Sequence, residues 1–156
     1  MELDKFKTEY ETLAKRFSLP KFMDLNLDFE IDKFDGETDF LLRAIRKLMM
    51  EKIVNSISFL EMLINPINAP RMYINYVSSM SSEDRKVIED IYSVLTELSI
   101  SSLSLEIDYS EKNEAALIKE THQKWSSLKP NFKNIVSNIK KPNNIKSVRK
   151  ERSYFG

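Results

Sequence analysis

The sequence predicts an all-α protein, an irregular bundle of five or six helices around a long central helix at about residues 39–65. Three observations carry that expectation. Residues 39–65 hold an apolar face at helical spacing over a long run that contains neither Gly nor Pro. Only two glycines, Gly36 and Gly156, occur in 156 residues, far below the usual share of about 7%, so tight Asn-Gly or Asp-Gly hairpins have one candidate, Asp35-Gly36. Strand-like alternation is confined to two short stretches, 25–31 and 103–109.

The first helix is read from Leu3, Phe6, Tyr10, Leu13, Ala14 and Phe17, which recur at steps of three and four. It should stop near Ser18, because Pro20 disfavours a helical conformation at Leu19. Residues 25–31 then alternate Leu25, Leu27, Phe29 and Ile31 with Asn26, Asp28 and Glu30. That two-residue period predicts an extended, acidic segment at about 24–37, laid over the helices. Pairing it as a ribbon with 103–109 is the alternative, but both outward faces would be acidic and two strands alone are marginal. A helix is therefore preferred at 103–109.

The central helix follows, with Asp35 or Thr38 as its cap and Leu42, Ile45, Met49, Ile53, Ile57, Leu60 and Ile64 as its main stripe. Leu41, Leu48, Phe59 and Leu63 widen that stripe, which implies neighbours on more than one side. Asn65-Pro66 ends it. Pro70 suits the first turn of a short helix carrying Met72, Tyr73, Tyr76, Val77 and Met80. Ser81 and Asp84 have the spacing of a capping box for a second long helix through Val87, Ile88, Ile91, Leu95, Leu98, Ser102 and Leu105. Ser110 caps a further helix with Ala115, Leu117, Ile118, Thr121, Trp125 and Leu128 inward, and Pro130 begins or kinks a last segment with Phe132, Ile135, Val136 and Ile139. The pattern is lost after Lys141-Pro142, so the organisation expected is one helical domain over 1–141 and a flexible basic tail over 142–156.

Composition excludes several function classes. There is no Cys, which removes disulfides, thiolate metal sites and cysteine nucleophiles and suits a reducing, cytoplasmic setting. The scarcity of Gly removes the phosphate-cradling loops of nucleotide-binding proteins. No apolar run approaches the roughly 18 residues of a membrane helix, and no membrane association is expected. Lys+Arg and Asp+Glu both number 24, so attraction to nucleic acid would have to come from local asymmetry.

Motifs for chemistry are weak. His122 is the sole histidine, and the position three residues before it, where a di-iron bundle motif has Glu, is Lys119. Ser126 with Lys129 and Ser147 with Lys150 match the Ser-x-x-Lys spacing of a serine nucleophile and its base, without companion motifs. The acidic residues 24–39 fit no calcium-loop register, since Phe29 or Lys33 falls where the sharp turn needs Gly. The methionines Met49, Met50, Met62, Met72 and Met80 read as core filling. No catalytic residue, metal or cofactor is expected.

Charge asymmetry is what remains. Residues 140–156 carry Lys140, Lys141, Lys146, Arg149, Lys150 and Arg152 against Glu151, a net +5, and end on Tyr154-Phe155. An acidic docking face is expected at Asp28, Glu30, Asp32 and Asp35. Opposite charges on arm and tail suit an intramolecular clasp or head-to-tail association of two copies. The expected function is thus a noncatalytic protein–protein interaction module that self-associates or binds a protein partner. The alternative is a nucleic-acid-associated factor in which the tail, with Lys124, Lys129 and Lys133, contacts phosphates and the terminal aromatics stack on bases. An enzyme whose site would show as clustered carboxylates in a pocket is the third possibility.

Overall fold

The computed structural model describes residues 3–141, and over these the chain is all-helical, with six α-helices and no strand. They are α1 (Leu3–Phe17), α2 (Phe22–Phe29), α3 (Leu41–Ile64), α4 (Arg71–Ser79), α5 (Ser82–Ile107) and α6 (Glu111–Ile139). Single 3-10 turns at Ile31–Lys33 and Pro66–Asn68 join α2 to α3 and α3 to α4. The expected tail, 142–156, lies outside the described residues.

Local chemistry accounts for most helix ends. α1 closes where Ser18 takes a left-handed φ of 55° and the Leu19 N–H donates back to the Ala14 carbonyl, the long-range bond of a Schellman ending. Tyr10, buried on the inner face of α1, donates its hydroxyl to the Pro20 carbonyl at 2.6 Å and so fastens the exit from the helix. Ser81 and Ser110 cap α5 and α6 by accepting from the backbone N–H groups of Asp84 and Asn113.

The extended reading of residues 24–37 is corrected. α2 occupies the first part of that segment, and residues 31–33 form a 3-10 turn. Phe22, Leu25 and Phe29 share a helical face that is buried, whereas Leu27, needed inward by the alternating pattern, is 79% exposed. Glu30 then takes φ 51° and ends α2, with its N–H on the Asn26 carbonyl, and the Asn26 side chain accepts from the Asp32 N–H. The ribbon alternative falls with it, because residues 103–107 belong to α5.

α3 starts later than expected, at Leu41. Neither Asp35 nor Thr38 caps it directly: Thr38 accepts from the N–H of Phe40, the residue before the helix. At 24 residues it is shorter than α5 with 26 and α6 with 29. It packs against α2, α4, α5, α6 and both 3-10 turns, which is why Leu42, Ile45, Met49, Ile53, Leu60 and Leu63 are all buried. Pro130 neither starts nor interrupts an element. α6 runs through it, and the carbonyl that would have accepted from the missing N–H, that of Ser126, belongs to an exposed residue that water can reach.

Of the methionines, Met49 and Met50 are buried, Met72 and Met80 half-buried, and Met62 exposed. Among the described residues no helix is long and apolar enough to cross a membrane.

Candidate functional site

Along α3, residues 46, 47, 50 and 54 recur at helical spacing, and they face residues 99, 102, 103 and 106 of α5 across a groove. The polar end of that row sits deepest. Arg46 is almost fully buried and its guanidinium reaches from α3 to two further helices, α5 and α6, at once. Nε donates to Glu114 Oε2 at 2.6 Å, Nη2 to Glu106 Oε1 at 2.6 Å and Glu114 Oε1 at 3.3 Å, and Nη1 to Ser102 Oγ at 2.6 Å. Glu114 has no exposed surface and lies in the first turn of α6, where the helix dipole favours a carboxylate.

Nearer solvent, Glu106 also takes Arg43 Nη2 at 2.9 Å, with Lys47 Nζ at 3.6 Å. Arg43 lies over the Tyr109 ring, which packs edge-on against Phe40. Hydrogen bonds from Arg46 and Arg43, aided by the charges of Arg46 and Lys47, hold the Glu106 carboxyl down at about 2. Burial works against the charge of Arg46, but hydrogen bonds to Glu114 and Glu106 outweigh it and raise its pKa.

This arrangement holds ionised groups in place rather than moving protons. Glu106 stays a carboxylate at neutral pH, and the Ser102 hydroxyl is held by a guanidinium, a cation unable to take its proton. Because the Glu106 pKa is depressed on folding from an ordinary 4.5 to about 2, its stabilising contribution is present above pH 4.5 and lost as pH falls towards 2. The stability gap between wild type and Glu106→Gln is therefore expected to be constant above pH 5 and to close through that window, which urea unfolding at a series of pH values would read. A gap that does not change with pH would show that the ion pairs do not stabilise the fold.

Beside this charged floor lies the groove itself, of about 730 Å³. Its rim is apolar on both sides: Val54 from α3 is 45% exposed, and Ile100 and Leu103 from α5 are 60% and 63% exposed. Ile107, one turn beyond Leu103, is 79% exposed. Lys47 and Glu51, one turn apart on α3, supply opposite charges on the same rim and are both exposed.

The residues singled out in the sequence are distributed differently. Asp28 is not on an open acidic face: it is buried, its carboxylate pairs with Lys129 Nζ at 2.5 Å, and its backbone carbonyl accepts from Lys52. Lys52 lies over the Phe29 and Trp125 rings, so two cations and two aromatics enclose this end of α2. Glu30 pairs with Lys33 at 2.8 Å, and Asp32 and Asp35 are exposed. Lys140 and Lys141 are exposed just beyond α6, while Lys146, Arg149, Lys150, Arg152, Tyr154 and Phe155 lie outside the described residues.

Lys129 is engaged by Asp28, and Lys124 by Glu120 at 2.6 Å, which leaves the lysine of Ser126-x-x-Lys129 as an ion-paired ammonium. His122 is half-buried, and among the described residues no three metal-ligating side chains gather.

Sequence reasoning missed the Arg46 cluster, although a signal existed. Arg46 falls one turn from both Leu42 and Met50, within the apolar arc of α3, and Glu114 one turn before Ile118. A charge at an inward position on each of two helices is the pattern of a buried pair.

No family model, no curated protein and no solved structure matches this chain.

Proposed function

We propose that this chain is a noncatalytic helical interaction module that docks a protein on the face shared by α3 and α5. The observation that carries this reading is the row of Ile100, Leu103 and Ile107, outward-facing beside a groove whose opposite wall presents Val54. Single exposed apolar side chains are ordinary, but several lining one depression are a feature of docking sites. Their spacing of three and four on α5 suits helix-against-helix recognition, and the buried Arg46 network keeps both walls rigid.

The test is capture of partners from lysate, with and without nuclease, by the full chain and by Leu103→Glu. Loss of captured protein in the variant, with helical content by circular dichroism unchanged, is the expected result. Capture that the variant retains would remove the α3/α5 face from the reading. Capture that nuclease abolishes would instead favour the nucleic-acid reading through Lys140, Lys141 and the residues beyond them.

A further inference from the structure

We infer that the occupant of the α3/α5 face is a second copy of this chain, bound about a two-fold axis with the two α5 helices antiparallel. The inference rests on the docking reading above and names its partner. A two-fold interface uses the same patch on both subunits, so the patch must be complementary to itself. This one carries a ridge and a recess side by side: Leu103 and Ile107 project from α5, and the groove of about 730 Å³ opens next to them between α5 and α3. A two-fold rotation places the ridge of each copy over the groove of the other.

The rim charges obey the same symmetry. Lys47 and Glu51 stand one turn apart on α3, and reversing the helix direction across the axis sets Lys47 of one copy opposite Glu51 of the second. The chain as a whole has a formal net charge of zero at neutral pH, so no overall repulsion opposes association of like molecules. Burial of the apolar row supplies the attraction, and the rim pairs supply register.

Sedimentation equilibrium of the full chain over a range of concentrations tests this. A monomer–dimer equilibrium that persists at high salt is expected, and Leu103→Glu and Ile107→Lys, both at exposed positions, should shift it to monomer. Lys47→Glu alone and Glu51→Lys alone should each weaken the dimer about tenfold, and the double exchange should restore it. Because residues 47 and 51 are also one turn apart within each chain, the unfolding stability of every variant is measured alongside, and a dimer restored without a parallel change in stability is the result expected of a pair across the axis.

A monomer at every concentration, a dimer indifferent to Leu103→Glu, or a double exchange that fails to restore would overturn the inference. So would a dimer that dissolves in high salt, the behaviour of a clasp between the acidic residues and the tail. If the protein is monomeric while Leu103→Glu still abolishes capture from lysate, the self-association inference fails and the docking reading stands.

Discussion

Arg46→Met is expected to destabilise the protein by about 3–5 kcal/mol, because it strips the counter-charge from a fully buried Glu114. The methionine fills much of the volume of the lost side chain, so a cavity is not the main cost. What remains is a carboxylate without solvent contact and without the two guanidinium hydrogen bonds that offset its desolvation. Ser102 and Glu106 lose partners at the same time.

Equilibrium urea unfolding measures the loss. The companion variant Arg46→Met with Glu114→Leu should recover most of it, since replacing both members of a buried pair by apolar groups is often neutral or better. A single variant within about 1 kcal/mol of wild type would show that Glu114 escapes its burial, and the account of α3, α5 and α6 as joined through this guanidinium would fail.

Trp125→Ala carries the other large effect, about 3–5 kcal/mol. Trp125 is the sole tryptophan and is buried on α6, with the Phe29 ring 6.0 Å away from α2 and the Phe132 ring 5.9 Å away on its own helix. Lys52 of α3 lies over its face at 5.3 Å. Removing the indole takes one wall from three packed elements, and α2, with eight residues too short to be stable alone, loses the aromatic contact at its C-terminal end.

Among the described residues the buried indole N–H has no hydrogen-bond partner, so Trp125→Phe discards an uncompensated donor and should lose less than half as much as the alanine variant. Thermal and urea unfolding followed by circular dichroism would rank the two. An alanine variant as stable as the phenylalanine one would mean that the aromatic cluster does not anchor α2.

How far the sequence was legible follows from the range of the interactions involved. The end of α1 and the starts of α5 and α6 follow from Pro20, Ser81 and Ser110, residues that act within four positions of themselves. The same holds for the inward faces of α5 and α6, where Ile88, Ile91, Leu95, Leu98, Leu117, Ile118 and Trp125 are buried where helical spacing puts them. Pro130 misled, because a proline on a solvent face of a long helix costs one hydrogen bond that water replaces.

By itself, then, the sequence determined that the chain is helical, where most helices start and stop, and which residues line their inner faces, because propensity, capping and periodicity act over one or two turns. Tertiary structure decided the rest. Residues 24–29 alternate like a strand yet form α2, because Phe22, Leu25 and Phe29 have a core to enter and Asp28 has Lys129, 101 positions away, to pair with. Arg46 reads as one solvated charge among many until Glu114, 68 positions on, is placed against it. The groove exists only where α3 and α5 lie side by side. A charge is desolvated, and an apolar row left uncovered, by neighbours remote in the chain, and no local pattern of residues encodes which neighbours those are.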